Sequence, residues 1–213
     1  MTKMFTSTKE HFITFEGIDG CGKSTQAKLL LEKLNEEGCK SILVREPGGT
    51  RISEAVREIL LTKGMDELQN RTEALLMTAS RAQLTDEVIL PNLHKGNWVI
   101  ADRYTDSTLA YQGGGRELNL DWLIKLNSFA TNDLNPDMTV IVDIVPEEGQ
   151  RRRASDNPDR IEKAGMDFQQ NVRKMYLEIA KRFPDRIFVT DGHETIKNIH
   201  RKIWNEIKRR YFL

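Results

Sequence analysis

A glycine-rich stretch near the start of the chain has the composition of a phosphate-binding loop. It fits the pattern G-x-x-x-x-G-K-[ST] and comprises Gly17, Ile18, Asp19, Gly20, Cys21, Gly22, Lys23, Ser24 and Thr25. The glycines let backbone N–H groups approach a polyphosphate, and the amino end of a following helix adds positive charge. Lys23 can reach the terminal phosphates, and the Ser24 hydroxyl can ligate Mg²⁺. The stretch predicts a nucleotide site formed by all of these residues, with an ordinary glycine-rich turn as the alternative.

An acidic and a basic residue stand together directly after the third apolar run of the chain, in Asp102-Arg103-Tyr104. Asp102 can hold a water or Mg²⁺, and Arg103 can bridge phosphoryl groups through two parallel hydrogen bonds. A salt bridge at the end of a strand is the alternative interpretation. Asp143 competes for the acidic role, but Ile144 follows it and supplies no adjacent cation.

Two residues of a predicted helix, Met77 and Arg81, are four positions apart and therefore share a face. If that face lines a cleft, Met77 covers the ring of an acceptor and Arg81 bonds its edge. Alternatively, Met77 belongs to the core and Arg81 reaches water.

A run of charges from residue 150 to 160 follows another apolar run and contains Pro158. This stretch predicts a mobile lid that brings arginines over the phosphates and excludes water, although such a run is also typical of a solvated surface.

Two glycine-rich loops, at 46–50 and 111–116, are compatible with close backbone approach or with plain turns. In the second, the Gln112 amide could read a base edge and the Tyr111 ring could exclude a 2′-hydroxyl.

These residues are positioned by short apolar runs that predict buried strands. The runs are Phe12–Phe15, Ser41–Val44, Trp98–Ala101, Met138–Val145 and Arg186–Val189. Helical segments separate them, and strands that alternate with helices predict an α/β fold with a parallel sheet. Because ligands bind at the carboxyl edge of such a sheet, the residues after each strand should form the site.

The predicted helices have recognisable ends. A periodic segment at 29–34 should stop at Gly38, and a long one from Leu68 to Leu90 should end at Pro91. Near the end of the chain, apolar residues form one stripe, followed by Lys208, Arg209 and Arg210 at the negative end of the helix dipole. The stripe consists of Ile196, Ile199, Ile203 and Ile207.

Size and charge limit the possible classes of protein. The 213 residues predict one domain over 1–213, and a formal net charge of +0 gives no bulk reason to expect a nucleic-acid or membrane partner. The polar first twelve residues lack a secretory core, and no apolar run is long enough to span a membrane, so a cytoplasmic protein is expected. Cys21 and Cys39 have no disulfide or metal-binding spacing.

A phosphate loop alone leaves three classes open: a small-molecule kinase, a GTPase switch, and an ATPase or sensor that acts on a partner. No Asn-Lys-x-Asp guanine-reading motif occurs, and the short chain weakly disfavours a partner-driven ATPase. A kinase with a phosphorylated acceptor needs additional cations to bring two anionic groups together. The arginines at the predicted edge favour that class, with a kinase for another nucleoside monophosphate or for a deoxynucleoside left open.

Taken together, the motifs closely resemble those of the thymidylate kinase family. The resemblance is carried by Phe15–Gly20 with the phosphate loop, Arg45–Thr50, Asp102–Tyr104, Leu109–Arg116 and Asp159–Glu162. It implies a P-loop kinase fold in three α/β/α layers with a five-stranded parallel sheet. It also implies ATP as phosphoryl donor with Mg²⁺, dTMP as acceptor, dTDP as product for dTTP biosynthesis, and a homodimer.

The resemblance also assigns roles to individual residues. The segment Gly17–Ser24 would bind ATP phosphates, with Asp19 near the sugar hydroxyl of the acceptor. Arg103 would bridge the acceptor phosphate and the transferred group. Arg81 would contact thymine, and the base and sugar pocket would be completed by Thr108, Tyr111 and Gln112. Met77 stands where many relatives have a stacking Phe, which implies a looser base contact.

Members of the family differ in the position of the transition-state arginine, which lies either in the phosphate loop or in the lid. Position 20 is glycine, so the chain resembles the bacterial lid-arginine type, with a lid at about 147–160. One residue of the Arg151–Arg153 cluster must then supply the charge, and Arg153 is the expected one. Lys23, Asp102, Arg103 and Arg153 are thus the expected catalytic residues, with Ser24 and Asp102 as metal ligands.

Overall fold

The computed structural model describes residues 10–62, 67–153 and 160–212. Its centre is a sheet in which every strand pairs in parallel, in the order β2-β3-β1-β4-β5. The strands are β1 (Phe12–Glu16), β2 (Ser41–Arg45), β3 (Trp98–Asp102), β4 (Met138–Asp143) and β5 (Ile187–Asp191). The five-stranded parallel sheet of a P-loop kinase is therefore confirmed, with strand ends that shift by one or two residues from the predicted runs.

Helices connect the strands. In chain order, the α-helices are α1 (Lys23–Glu36), α2 (Arg51–Leu61), α3 (Asn70–Leu84), α4 (Leu90–Leu93), α5 (Thr105–Thr108), α6 (Leu120–Thr131), α7 (Pro146–Arg153), α8 (Met166–Arg182) and α9 (Ile196–Tyr211). Two π-helices, Thr85–Ile89 and Leu109–Gly115, and a 3₁₀ turn, Glu162–Ala164, complete them. No helix within the described ranges is both long and apolar enough to cross a membrane.

Alternating side chains of the strands bury both faces of the sheet. On β1, Ile13 and Phe15 belong to a core cluster that also contains Leu30 of α1 and Ile203 of α9. Phe12 belongs to a second cluster, with residues from the end of α3 and the π-helix that follows it. Because both faces are covered by helices, the strands are mostly apolar, as in other parallel sheets, and most of the charged side chains stand at their carboxyl ends.

The register of the parallel strands gathers their carboxyl ends at one edge. Phe15 of β1 lies opposite Asp102 of β3, and Asp143 of β4 lies opposite Asp191 of β5. The chain therefore leaves β1 for the phosphate loop beside the point where β3 delivers Arg103. This is the edge at which the sequence predicted the site.

Two predicted helical features are wrong in detail. The long helix continues through Pro91 to Leu93, because a π-helical segment precedes the proline. A wider turn tolerates the missing N–H and the bulky ring that would end an α-helix.

The glycine-rich stretch 111–116 is not a loop either, since Leu109–Gly115 forms a π-helix against α8. A Cβ at Gly114 would lie 2.6 Å from the Met175 Cβ, so this close packing requires glycine.

The stripe on α9 is shorter than predicted. Ile199, Ile203 and Ile207 are buried, whereas Ile196 is 59% exposed at the first turn of the helix. The first turn lies beyond the edge of the sheet, so no strand is available to cover that side chain.

The difference in burial between Ile203 and Ile196 allows a matched test of stability. Replacing Ile203, which is completely buried, with alanine should lower the free energy of unfolding by about 2–5 kcal/mol, because the substitution leaves a cavity. The same change at exposed Ile196 should alter it by no more than about 0.5 kcal/mol. Urea denaturation of both variants measures the difference, and equal losses would contradict the described packing of α9.

Candidate active site

The phosphate loop has the backbone that its glycines predict. Gly17 has φ 135° and Gly22 has φ 94°, and a Cβ at Gly17 would lie 2.6 Å from the carbonyl oxygen of Val142. Gly22 caps the amino end of α1, and no described side chain bonds to the N–H groups of its first turn. These N–H groups are therefore available to an anion, and Lys23, Ser24 and Thr25 stand at the same helix end.

Gly20 packs against the backbone of α7. A Cβ at Gly20 would overlap the carbonyl oxygen of Gly149, and a Cβ at Gly149 would lie 2.6 Å from the carbonyl oxygen of Asp19. Position 20 therefore has no room for a side chain unless α7 moves. The contact also brings the helix that begins the predicted lid directly onto the phosphate loop.

Arg103 and Asp19 form an ion pair at the centre of the edge. Arg103 Nη2 lies 2.5 Å from Asp19 Oδ1, and the Tyr111 hydroxyl donates to Asp19 Oδ2 at 2.9 Å. Lys23 Nζ lies 3.4 Å from the same carboxylate. Burial alone would raise the pKa of Asp19, but the charges of Arg103 and Lys23 and the Tyr111 hydrogen bond hold it well below its usual range. Asp19 is thus ionised and connects the phosphate loop to β3.

A buried carboxylate that the sequence analysis did not single out supports Arg103 from behind. Glu16 accepts hydrogen bonds from the Ser107 hydroxyl at 2.6 Å and the Tyr176 hydroxyl at 2.8 Å. Both hydroxyls also contact Arg103 Nη1, at 3.2 and 3.4 Å. Burial, together with the nearby charge of Asp106, raises the pKa of Glu16 to about 7. An acidic residue that ends a buried, mostly apolar strand was the available signal.

Arg103 has φ 75°, which is uncommon for a residue other than glycine. Its backbone N–H donates to the carbonyl of Phe15 at 2.9 Å, which extends the pairing of β1 and β3 by one bond. The unusual backbone is thus held by the neighbouring strand, and it directs the guanidinium across the loop toward Asp19.

The two acidic residues that competed for a metal differ in their surroundings. Both oxygens of Asp143 accept hydrogen bonds from Arg173, at 2.7 and 2.8 Å. Asp102 Oδ1 is buried and accepts no hydrogen bond from any residue that the structure describes. Since an unpaired buried carboxylate oxygen is costly, Asp102 is the better candidate to meet a bound water or cation.

A cavity of about 120 Å³ opens beside Arg103 and brings the predicted acceptor residues together. Those residues are Asp19, Met77, Arg81, Arg103, Thr108, Tyr111 and Gln112. The wall also contains Glu46, Pro47 and Ile161, which lie in stretches that carried the resemblance, and three residues that sequence reasoning missed, namely Arg57, Leu61 and Ser107. These three lie on α2 and α5, so only the tertiary fold brings them to the cavity.

Arg81 lines this cavity and does not reach water, since it is only 2% exposed. Its guanidinium is fixed by Glu46, with Nε 2.8 Å from Oε2. The remaining hydrogen bonds go to the Thr108 hydroxyl at 2.7 Å, Asn127 Oδ1 at 2.6 Å and the Tyr104 carbonyl at 2.9 Å. Arg81 is therefore a rigid part of the wall before any substrate binds.

The three consecutive arginines of α7 have different environments. Arg151 is 74% exposed and pairs with Glu148 on the surface. Arg152 also contacts Glu148 and donates to the carbonyl of Gly192 at 2.9 Å. Arg153 Nε lies 3.3 Å from the carbonyl of Gly149, one turn earlier in the helix, and Gly149 is the residue that packs on the phosphate loop. Residues 154–159 of the predicted lid lie outside the described residues.

A second cavity, of about 330 Å³, lies on the other side of the phosphate loop. Its lining combines Gly20, Cys21, Gly22, Thr25 and Gln26 with Arg152, Gly192, Glu194, Thr195, Ile196 and Ile199. The exposed Ile196 and the planar guanidinium of Arg152 thus stand beside the loop expected to hold phosphates. The sequence analysis did not identify this surface, because it forms between segments far apart in the chain.

Known proteins with a similar sequence or fold share a single description. The family model for thymidylate kinase matches residues 15–203. A thymidylate kinase from Thermosipho melanesiensis is 49% identical over 198 residues, covering 93% of this chain and 96% of the relative. One from Caldanaerobacter subterraneus is 48% identical over 192 residues, covering 90% and 92%.

The fold supports the same assignment. The crystal structure of thymidylate kinase from Ehrlichia chaffeensis superimposes with a TM-score of 0.76 at 33% identity, covering 94% of this chain and 99% of that one. Matches of this extent include the phosphate loop, the Arg103 edge and the acceptor cavity together. The chain therefore belongs to the thymidylate kinase family.

Proposed function

We propose that this protein transfers the γ-phosphoryl group of ATP to dTMP, producing dTDP for dTTP biosynthesis. The family supports this reaction. The observation that carries it here is the Arg103–Asp19 pair, which stands between the phosphate loop and the 120 Å³ cavity. A donor phosphate on the loop and an acceptor phosphate at the mouth of the cavity would meet at Arg103.

The donor would bind with its phosphates on the uncapped amino end of α1. Backbone N–H groups of the loop and Lys23 supply the positive charge that a triphosphate requires. The adenine ring would lie in the 330 Å³ cavity, whose lining includes both Arg152 and Ile196. A planar guanidinium can stack on a base, and an apolar side chain can cover its opposite face.

Magnesium would bind close to Ser24 and Asp102. The orphaned Asp102 Oδ1 and the exposed Ser24 at the loop are oxygen donors of the kind that Mg²⁺ prefers. The described residues form no cluster of three or more His, Cys, Asp or Glu for a metal, so phosphate oxygens and waters would complete its shell. When bound, Mg²⁺ neutralises the charge on the transferred phosphate.

The acceptor would lie with its base deep in the 120 Å³ cavity. Met77 would cover the ring, while Arg81, Thr108 and Gln112 contact its edge. The Tyr111 ring would stand against the sugar, where a 2′-hydroxyl would collide with it, and Asp19 would accept a hydrogen bond from the sugar hydroxyl. Arg57, which also lines the cavity, would join Arg103 in binding the acceptor phosphate.

Catalysis would then depend on positioning and on neutralising charge during in-line transfer. Lys23 would hold the terminal phosphates, and Arg103 would bridge donor and acceptor. Arg153 would add the transition-state charge from the lid, which we assign to about 147–160 in a single domain. The contact of Arg153 with Gly149, which packs on the loop, supports Arg153 over the exposed Arg151.

We further propose that the protein is a homodimer in the cytoplasm, as the family resemblance implies. The support for a second copy lies on α3 and α6, which pack together and expose large apolar side chains. Phe129 is 85% exposed, Leu75 is 49% exposed and Trp122 is 38% exposed. Such exposure is typical of a surface that another molecule covers.

The reaction is tested by measuring ADP release from ATP and Mg²⁺ with separate acceptors. We expect strong turnover with dTMP, less with dUMP, and little with UMP, CMP, AMP or GMP, because Tyr111 would exclude a 2′-hydroxyl and Gln112 would read the edge of the base. A reaction without acceptor serves as control. Turnover with another monophosphate alone would contradict the acceptor assignment, and equal turnover without any acceptor would indicate an ATPase.

The role of Arg153 is tested against its neighbour. Arg153→Ala should lower kcat by about 10³-fold while changing the KM for dTMP only slightly, because its charge acts in the transition state. Arg151→Ala, which removes an exposed arginine from the same helix, should lower kcat by less than about fivefold. Steady-state kinetics on both variants decide between them, and a larger loss for Arg151→Ala would reverse the assignment.

The dimer surface is tested by introducing a charge. Phe129→Asp should convert a dimer into a monomer, because burying an unpaired carboxylate against a second copy is unfavourable. Ile196→Asp is the matched control, since Ile196 is 59% exposed on α9, which packs on α1 and β5. Light scattering after size-exclusion chromatography measures the mass. A wild-type protein that elutes as a monomer would contradict the assembly.

A further inference from the structure

The acceptor cavity has a second layer of charged residues behind its base-binding end. Glu73 of α3 is completely buried, and its Oε2 lies 2.6 Å from Arg160 Nη2. Arg116 donates to both carboxylate oxygens, at 3.2 Å from Nε and 3.1 Å from Nη2. Glu73 Oε1 also accepts a hydrogen bond from Gln112 Nε2 at 3.0 Å. Glu73 therefore joins the Gln112 side chain to two arginines.

This carboxylate has no proton to donate at neutral pH. Burial would raise the pKa of Glu73, but hydrogen bonds from Arg116 and Gln112 and the arginine charges hold it below its usual value. The arginines are themselves fixed: Arg116 stacks on Phe168 with its guanidinium carbon 4.6 Å from the ring centre, and Arg160 Nε donates to the carbonyl of Leu60 at 3.1 Å. Both oxygens of Glu73 consequently act only as acceptors.

Because Glu73 can only accept hydrogen bonds, it determines how the Gln112 amide is oriented. Only the NH₂ group of Gln112 can make a favourable contact with Glu73, because its carbonyl oxygen would face a negative charge. Gln112 is 2% exposed, so it has little freedom to adopt another rotamer. The NH₂ end is thus committed to Glu73, and the carbonyl oxygen is the end left for a ligand in the cavity.

We propose that Glu73 is a positioning residue for base selection, which makes Gln112 accept a hydrogen bond from the substrate rather than donate one. The inference rests on the proposed function and extends it to the choice between pyrimidines. Thymine and uracil carry a hydrogen on N3, which can donate to the Gln112 carbonyl. Cytosine has a bare lone pair on N3, which would repel that oxygen, and a deoxycytidine phosphate would therefore be rejected.

The test is the ratio of kcat/KM for dTMP to that for dCMP. Glu73→Gln replaces a side chain that can only accept hydrogen bonds by an amide that can also donate one. The Gln112 amide can then rotate by 180° and donate to cytosine N3. We expect this ratio to fall by about tenfold or more, while the ratio for dTMP to dUMP stays the same because both bases carry the N3 hydrogen. Glu178→Gln, at an exposed position on α8, should leave both ratios unchanged.

A second variant separates orientation from general damage. On a Gln112→Met background, Glu73→Gln should change the ratio no further, because Glu73 acts through the Gln112 amide. Glu73→Asp keeps the negative charge beside the arginines but moves the carboxylate away from Gln112. It should therefore also lower the ratio of kcat/KM for dTMP to that for dCMP. Circular dichroism and melting temperature establish that each variant is folded.

The outcomes separate this inference from the function on which it rests. Folded Glu73→Gln or Glu73→Asp protein that keeps the wild-type preference for dTMP over dCMP would overturn the positioning role. The positioning role would also be overturned if Glu73→Gln lowered the dTMP-to-dCMP ratio as much on the Gln112→Met background as in the wild-type protein. Wild-type protein that fails to phosphorylate dTMP would instead overturn the proposed function.

Discussion

The ion pair between Arg103 and Asp19 is the constraint on which the site depends. A guanidinium cannot be buried at the edge of a sheet without a partner, and here the partner comes from the phosphate loop, 2.5 Å away. The pair therefore fixes the distance between the loop after β1 and the residue after β3. Glu16, Ser107 and Tyr176 then hold Arg103 from the opposite side, so the cation cannot turn away from the loop.

The acceptor cavity follows the same principle with different residues. Arg81 is held by Glu46, and Glu73 is held by two arginines, so each buried charge in the wall has a partner of opposite sign. Substrate binding then requires little reorganisation of the wall, because its polar groups are already oriented. A neutral chain can thus concentrate charge at one edge of its sheet without the surplus of basic residues found in proteins that bind nucleic acids.

Local patterns made most of the fold predictable. The strands are short apolar runs, and the phosphate loop is contiguous, so both can be recognised from neighbouring residues alone. The π-helix that contains Tyr111 and Gln112 could not be recognised, because its glycines are required by contacts with Phe168 and Met175 of α8. Glu73 and Arg57 escaped notice for the same reason: each lies on a helix whose cleft-facing side is defined only by tertiary packing. Arg81 was identified, yet its bonding to Asn127 depends on a helix that begins far along the chain.

The contact between Gly20 and Gly149 has a consequence for how such an enzyme can evolve. The family resemblance implies a second type of member, with an arginine at the position of Gly20. In this chain, one substitution there would force the loop and α7 apart before any new charge could act. An arginine at position 20 therefore requires accompanying changes in α7, so the phosphate loop and this helix are constrained to vary together.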